Sequence, residues 1–211
     1  KQKTAYEIPK RDWSSDVCSS DLGADALAIM DRLGIRRFHV CGISVGGLVA
    51  QWLALNALAR IDRLVLCNTA ARIGTVESWQ ARIDSVRKSG LEATVGGISD
   101  RWFTKAFGEG HPAILEGCRK TLRATDPDGY LALCEVLRDS DLRPAVKTIR
   151  APTLVIAGRH DQSTTVDDAR FLTDSIAGAQ IEILPVAHIS NLEDADAFSR
   201  TVVNFLQDRS A

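Results

Sequence analysis

The pentapeptide at 42–46, Gly-Ile-Ser-Val-Gly, constrains the fold of this chain more than any other stretch of its sequence. An apolar run at 37–41 precedes it, and a stretch of helical character at 47–54 follows it. A serine between a strand and a helix in this pattern occupies a strained turn, and glycines on both sides are expected to avoid collisions. The pattern predicts that Ser44 is a nucleophile and that the backbone N–H of Val45 lines an oxyanion hole. The alternative is a plain glycine-rich turn that binds phosphate.

Composition restricts the class of protein. The chain has 211 residues, 45% of them hydrophobic, which suits one domain or one core with a lid. Its 26 basic and 27 acidic residues give a net charge of −1, so neither a nucleic-acid partner nor a polybasic membrane patch is expected. No apolar run approaches the roughly 18 residues of a membrane helix, and the first residues do not resemble a secretory signal. These features predict a cytoplasmic protein.

The cysteines and histidines give no sign of a metal site. The five cysteines are odd in number and form no C-x-x-C pair. Cys41 and Cys67 lie in apolar runs, so we expect buried free thiols in a reducing compartment. The four histidines are scattered without the spacing of metal ligands. We expect neither a metal nor a cofactor.

Short apolar segments rich in Val, Ile and Leu alternate with helical patterns. This alternation favours an α/β fold, with a mainly parallel sheet covered by helices on both faces. The predicted strands are 36–41, 62–67, 152–157 and 180–184. The predicted helices that accompany them are 23–33, 45–58, 167–176 and 194–206.

The segment between the second and third strands is longer than one crossover helix requires. It carries helical patterns at 77–88, 91–103, 113–125 and 130–137. We therefore assign residues 23–72 and 148–211 to the core and residues 73–147 to a helical lid over the carboxyl edge of the sheet, where ligands bind in open α/β folds. Trp79 and Trp102 lie in this lid, where they either pack between lid and core or line the pocket.

The segment 1–22 does not fit the rest of the chain. A complete sheet of this type begins with several strands, and only 4–8 has the character of a short one. Residues 11–22 resemble the translation of a common sequencing-library adapter, and a helical pattern begins directly afterwards. We hypothesise that this segment replaces a natural N-terminal part; the alternative is a natural serine-rich loop. Sequencing the source gene across the junction distinguishes the two.

An acid and a histidine follow the last two predicted strands. Asp161 comes after 152–157 in a Gly-x-x-Asp context, and His188 follows 180–184. Because the carboxyl ends of parallel strands meet at one edge, both side chains are expected beside Ser44. A serine hydroxyl needs a base, and the base needs an orienting carboxylate. The order Ser44, Asp161, His188 therefore predicts a catalytic triad.

Each assignment has a rival. Asp161 could cap a turn, and His188 could be a loop histidine without a catalytic role. Asp167 and Asp168 are weaker candidates for the acid, since Asp167 is well placed as a helix N-cap. His160 is the second candidate for the base, but beside Asp161 it is expected to point away. His39, within a strand, and His111, in the lid with no evident partner, receive no role.

From Gly23 to its C-terminus the chain resembles the α/β-hydrolase superfamily, and it is most similar to 3-oxoadipate enol-lactonases. The similar stretches lie at 39–47, 64–72, 101–104, 124–130, 152–158 and 187–193. The triad motifs identify only the superfamily, whereas the Asn-Thr-Ala and His-x-Ser-Asn stretches and the lid segments point to the lactonases. The resemblance implies that the chain holds the C-terminal part of an α/β-hydrolase sheet and lacks its N-terminal strands.

The resemblance also implies a substrate, 3-oxoadipate enol-lactone, which bacteria hydrolyse in aromatic catabolism. Ser44 would attack the lactone carbonyl, with His188 as base and Asp161 as its partner. The substrate carboxylate calls for a cation, and Arg72, after the second strand, is the best placed. Trp102 is expected to line the pocket. An exposed loop arginine and a packing tryptophan remain the alternatives, and the oligomeric state is left open.

Other functions remain open beside the lactonase. They are a carboxylesterase or carbon–carbon bond hydrolase of the same fold, and a non-catalytic module that binds a small molecule or a partner under the lid. A nucleotide-binding turn is disfavoured, because neither G-x-G-x-x-G nor a P-loop lysine follows the first strand.

We predict that the 211-residue chain is prone to aggregation and nearly inactive, whereas the natural full-length protein is an active hydrolase. The strand at 36–41 becomes an unprotected apolar edge. The usual second oxyanion donor, marked by a His-Gly-type motif after an earlier strand, is absent, and losing one donor costs roughly 10²–10³ in turnover. Size-exclusion chromatography with light scattering and a turnover assay measure both effects. A soluble monomer with ordinary lactonase turnover contradicts the prediction.

Overall fold

A computed structural model describes residues 18–208 and contains one parallel sheet. Its strands, in spatial order, are β1 (Phe38–Ile43), β2 (Ile61–Cys67), β3 (Thr153–Gly158) and β4 (Gln180–Leu184). All neighbouring pairs are parallel, so the four carboxyl ends lie along one edge. The α/β class and the parallel sheet predicted from the sequence are confirmed.

Helices cover both faces of the sheet. The helices α1 (Ser19–Arg32), α2 (Val45–Asn56) and α8 (Val166–Ser175) contribute to the larger apolar cluster on one face. The C-terminal helix α10 (Ala195–Gln207) closes the other face, preceded by the single turn of α9 (Ser190–Glu193). Within the described residues every helix is too short or too polar to span a bilayer.

The two central strands differ from the two outer ones. All residues of β3 and all but one of β2 are buried, as expected for strands packed on both faces. Along β1 the more buried and the exposed positions alternate, and His39 and Cys41 are exposed. Cys41 was expected to be buried and is not, because β1 is an edge strand of the described sheet.

Five helices lie between β2 and β3. They are α3 (Val76–Ser89), α4 (Val95–Ser99), α5 (Lys105–Gly110), α6 (Pro112–Arg123) and α7 (Pro127–Asp139). The predicted helix at 91–103 is instead a 3₁₀ turn, the short α4 and a bend, and α5 was not predicted. These helices bury a separate apolar cluster, which includes Val86, Leu91 and Leu122.

The first described helix begins earlier than its apolar pattern suggested. It starts at Ser19, and the side chain of Asp21 accepts a hydrogen bond of 2.9 Å from the backbone N–H of Cys18. A carboxylate three residues into a helix stabilises its start in this way. Residues 18–22, assigned from the sequence to the anomalous segment, are therefore continuous with α1. Residues 1–17 lie outside the described part of the chain.

Candidate active site

Ser44 occupies a strained turn between β1 and α2. Its backbone angles are φ 55° and ψ −121°, in a region that residues with a side chain rarely adopt. Its N–H donates to the carbonyls of Cys67 and Asn68, at 3.0 and 3.1 Å. The strand before the serine and the helix after it are the context that the sequence predicted.

The glycines around this turn have different roles. A Cβ on Gly42 would lie 2.2 Å from the carbonyl oxygen of Gly46, so glycine is required there. A Cβ on Gly46 would meet nothing within 4 Å among the described residues, contrary to the expectation that both flanking glycines avoid collisions. The second crowded position is Gly47, where a Cβ would lie 2.5 Å from the side chain of Thr69.

The backbone N–H of Val45 lies at the first position of α2. The first N–H groups of a helix have no partner within the helix, and their partial positive charge favours an anion. The hydroxyl of Thr69 donates to the backbone carbonyl of Ser44 at 2.7 Å and thereby stabilises the turn. This geometry suits the predicted role of Val45 as an oxyanion donor.

Asp161 and His188 form a buried pair. His188 Nδ1 lies 2.8 Å from Asp161 Oδ2, and the exposed fractions of the two side chains are 6% and 0%. An ionised carboxylate only accepts hydrogen bonds, so Nδ1 must carry the hydrogen. The neutral ring therefore presents the lone pair of Nε2 as a base.

Hydrogen bonds compensate the buried charge of Asp161. Burial pushes the pKa of Asp161 upward, but the hydrogen bond from His188, the positive charge of the imidazolium when that ring is protonated, and the hydrogen bonds from Thr164 outweigh burial and bring the pKa below its usual value. Oδ1 accepts from the backbone N–H groups of Ser163 and Thr164 at 2.8 and 3.1 Å. Oδ2 also accepts from the Thr164 hydroxyl at 2.7 Å. Asp161 is thus held ionised.

Asn68 connects the segments that carry the three predicted residues. It follows β2, is 1% exposed and has φ 42°. Its Nδ2 donates to Asp161 Oδ2 at 3.1 Å and to the carbonyl of Ala187 at 3.0 Å. Its Oδ1 accepts from the Ser190 hydroxyl at 2.6 Å, and its carbonyl accepts from Ser44.

Sequence reasoning did not identify Asn68 as a site residue, although it used the Asn-Thr-Ala stretch to recognise the family. One signal was present. Asn68 directly follows a buried strand, much as Asp161 and His188 come soon after theirs, and asparagine tolerates positive φ better than most residues.

A close approach at Gly158 joins the loops of Asp161 and His188. A Cβ there would lie 2.2 Å from the carbonyl oxygen of Ala187 and 2.6 Å from that of Val186. The Gly-x-x-Asp pattern thus has a steric reason, because any side chain at 158 would push the two loops apart.

The three predicted triad residues lie at one edge of the sheet, but only Asp161 and His188 are directly hydrogen-bonded to each other. The chain of contacts from the Ser44 backbone through Asn68 to Asp161 and His188 is continuous. In the described part of the chain the Ser44 hydroxyl forms no hydrogen bond with His188. Such bonds are commonly long without a substrate and tighten when it binds.

The rival acids are used elsewhere. Asp167 was expected to cap α8, but Thr165 is the N-cap, with its side chain accepting from the N–H of Asp168 at 3.2 Å. Asp168 in turn accepts a hydrogen bond of 2.7 Å from the N–H of Thr165, completing a capping box. Threonine occupies the cap because it lies three residues before the acid.

The other histidines lie apart from the buried pair. His160 is exposed and lines a cavity between the loop after β3 and the inserted helices. His39 is exposed on β1, and His111 stacks on Phe107 with ring centroids 4.3 Å apart. Among residues 18–208 there is no cluster of three or more side chains that could ligate a metal.

Arg72 follows β2 but already has a partner. Its Nη1 lies 3.4 Å from Asp141 Oδ2, and Arg143 binds the same carboxylate more closely, at 2.6 Å. Arg72 borders a depression shared with Ser163 and Asp167. Neither Ser44 nor His188 is among the described residues that line this depression. The anchoring of a substrate carboxylate by Arg72 stays a prediction.

The two tryptophans of the inserted helices pack in different places. The Trp102 side chain packs on the apolar cluster of these helices, and its carbonyl accepts from the N–H of Ile189 at 2.9 Å, one residue after His188. Trp79 donates from Nε1 to the carbonyl of Ile73 at 2.6 Å and packs beside α2. The contact of Trp102 with substrate stays a prediction.

Comparison with known proteins agrees with this fold. A family model described as alpha/beta hydrolase fold matches residues 5–195, a range that includes part of the anomalous segment. The 3-oxoadipate enol-lactonase 2 of Acinetobacter baylyi is 42% identical over 181 residues, covering 86% of this chain and 68% of that protein. The 3-oxoadipate enol-lactonase 1 of the same organism is 35% identical, over 89% of this chain and 70% of that protein.

A solved structure is also similar along most of the chain. The enol-lactonase from Burkholderia xenovorans LB400 superposes with a TM-score of 0.89 and 43% sequence identity. The match covers 91% of this chain and 74% of that one. The resemblance to enol-lactonases inferred from the sequence is confirmed.

We predict that Gly47→Ala destabilises the fold and Gly46→Ala does not. The added Cβ at 47 must displace Thr69, and such overpacking costs about 1–3 kcal/mol of unfolding free energy. At 46 the added methyl group meets no described atom. Urea denaturation of both variants measures the difference. Equal midpoints would show that Thr69 does not constrain the turn.

We predict that Asn68→Asp lowers activity, with the larger loss at acidic pH. The new carboxylate would lie about 3.1 Å from Asp161 Oδ2, where a donor stood. A like charge disfavours ionisation of Asp161, so its pKa rises and activity is lost at higher pH as the solution is acidified. Asn191→Asp, at an exposed position, is the matched control. An unchanged profile in Asn68→Asp would contradict the proposed contact.

Proposed function

Because this chain belongs to the alpha/beta hydrolase family, we propose that it derives from a serine hydrolase that opens an enol-lactone through an acyl-enzyme. Support comes from one observation above all. The buried Asp161–His188 pair lies at the strand edge that also carries Ser44, and Asn68 contacts all three segments. The similarity to two 3-oxoadipate enol-lactonases favours a carboxylate-bearing enol-lactone as substrate.

Acylation begins with proton transfer from Ser44. His188 Nε2 takes the hydroxyl proton while Ser44 Oγ attacks the lactone carbonyl. The ionised Asp161 stabilises the imidazolium that forms, through the bond from Nδ1. The N–H of Val45 donates to the oxyanion of the tetrahedral intermediate.

Collapse of this intermediate breaks the ring C–O bond. The leaving oxygen is that of an enolate, a better leaving group than a simple alkoxide, so its departure needs little acid assistance. The proton that His188 took from Ser44 passes to this oxygen, which gives the enol and leaves His188 neutral. The released enol tautomerises to the ketone. His188 then removes a proton from water, which attacks the acyl-enzyme and frees the acid product and Ser44.

We assign the substrate carboxylate to Arg72. Its contact with Asp141 is longer than that of Arg143, so Arg143 is able to retain Asp141 while Arg72 turns to an anion. Asp167 and Asp168 border the same depression, and their carboxylates would repel a substrate that carried a second negative charge there. Trp102, in the turn between α4 and α5, is assigned to the pocket wall, and the inserted helices are assigned to a lid.

We also propose that this chain is impaired in this form. Val45 is the only oxyanion donor that a sequence motif identifies, and a single donor supports slower turnover than two. The chain matches 68% and 70% of the length of the two lactonases.

A turnover assay with paired substrates tests the proposal. We predict that the chain hydrolyses 3-oxoadipate enol-lactone and a neutral enol-lactone, and that Ser44→Ala abolishes both activities. Arg72→Ala should lower kcat/KM about 10- to 100-fold on the carboxylate-bearing lactone only, the usual loss for a hydrogen bond to a charge.

Arg36→Ala is the matched control, since Arg36 is exposed before β1, at the opposite end of the strands. Equal losses on both lactones would remove the anchor role from Arg72. Folded protein without any turnover, or turnover that survives in Ser44→Ala, would contradict the proposed function.

A further inference from the structure

Glu193 joins two segments that are far apart in the sequence. Its Oε2 accepts from the backbone N–H of Ala187 at 2.8 Å, directly before His188. Its Oε1 accepts from the backbone N–H of Thr104 at 3.0 Å and also from the Thr104 hydroxyl. One half-buried carboxylate therefore bridges the loop of the predicted base and the inserted helices.

A second contact runs beside this bridge. The N–H of Ile189 donates to the carbonyl of Trp102 at 2.9 Å. The segments 102–104 and 187–193 are thus joined by hydrogen bonds that lie on both sides of His188 in the sequence. Both contacts connect the inserted segment to the backbone on either side of the base.

The chemistry of the bridge requires a carboxylate. All three groups that face Glu193 are donors: two backbone N–H groups and one hydroxyl. A carboxylate accepts on both oxygens, and bonds to an ionised acceptor are stronger than neutral ones. A glutamine would present an NH₂ group to a donor on one of the two sides.

We propose that Glu193 is a positioning residue, which sets the place of His188 by clamping its loop to the inserted segment at Trp102 and Thr104. It acts through Ala187 and not on the substrate. The inference rests on the proposed function for its effect on turnover, but the clamp itself is a property of the fold.

The clamp makes the base depend on the inserted helices. When Thr104 leaves the carboxylate, Glu193 loses the contacts of one oxygen and is free to rotate away from Ala187. His188 then keeps its bond to Asp161, and Ala187 keeps the bond from Asn68 to its carbonyl, but the Ala187 N–H loses its acceptor and the backbone before the base is held less firmly. A misplacement of about 1 Å at a reacting group is enough to cost about 100-fold in rate.

The test compares Glu193→Gln with Glu182→Gln, an exposed position on β4 that loses the same charge. Amide hydrogen exchange is followed by mass spectrometry in peptides covering 101–106 and 185–191. The clamp predicts faster exchange in both peptides of Glu193→Gln. It also predicts a fall in kcat of about 10- to 100-fold, with KM within about twofold of the parent.

Two further variants keep the test decisive. Glu193→Asp keeps two accepting oxygens, so its kcat should fall less than that of the glutamine variant. It replaces the glutamine variant in the test if that variant does not fold. Thr104→Ser keeps the hydroxyl and the cap that it gives to Phe107, so it should match the parent.

The outcomes separate the clamp from the proposed function. Faster exchange in both peptides together with the fall in kcat supports the clamp. Exchange that rises in one peptide only, or a kcat equal to that of Glu182→Gln, overturns it. If neither the parent nor any variant turns over the lactone, the proposed function fails. The exchange data alone then show whether Glu193 holds the two segments together.

Discussion

The buried carboxylate of Asp161 is the group on which the carboxyl edge of the sheet depends. A charge with no exposed surface is tolerated only when donors surround it. Those donors come from three separate segments: the end of β2 through Asn68, the loop of Asp161 itself through Thr164, and the loop after β4 through His188. Burying this charge therefore requires the three loops to meet, and the same meeting brings His188 to the edge that holds Ser44. The stability of the edge and the geometry of the candidate site have one physical cause.

Close backbone approaches make this meeting possible. Because glycine has no side chain, the backbone of α2 packs against Gly42 and the loop of His188 packs against Gly158. Gly47 leaves room for Thr69, which donates a hydrogen bond to the carbonyl of Ser44. The central strands β2 and β3 are packed on both faces and supply a rigid base for these loops. A rigid base is needed at a site where a shift of about 1 Å alters the rate.

The predictable part of the molecule depends on local patterns. Ser44, Asp161 and His188 each come just after an apolar strand, and parallel strands bring the residues at their carboxyl ends to one edge, so their proximity could be deduced without a structure. Asn68 directly follows β2, so its place at this edge could be deduced in the same way, but its contact with Ala187, 119 residues along the chain, could not. Glu193 follows no strand directly, and its partner Thr104 lies 89 residues away. The wrong expectations have similar origins. Cys41 lies in an apolar run but on an edge strand, and the crowding beside Ser44 falls on Gly47 because only the fold brings Thr69 there.

The central claim is that the fold makes Ser44 a nucleophile served by His188. The most direct measurement is treatment of the folded chain with a fluorophosphonate, followed by peptide mass spectrometry to locate the adduct. We predict a single adduct on the peptide that contains Ser44, absent after substitution of Ser44 by alanine and strongly slowed in His188→Ala. A folded chain that stays unlabelled, or an adduct on another serine such as Ser163 or Ser190, would contradict this claim.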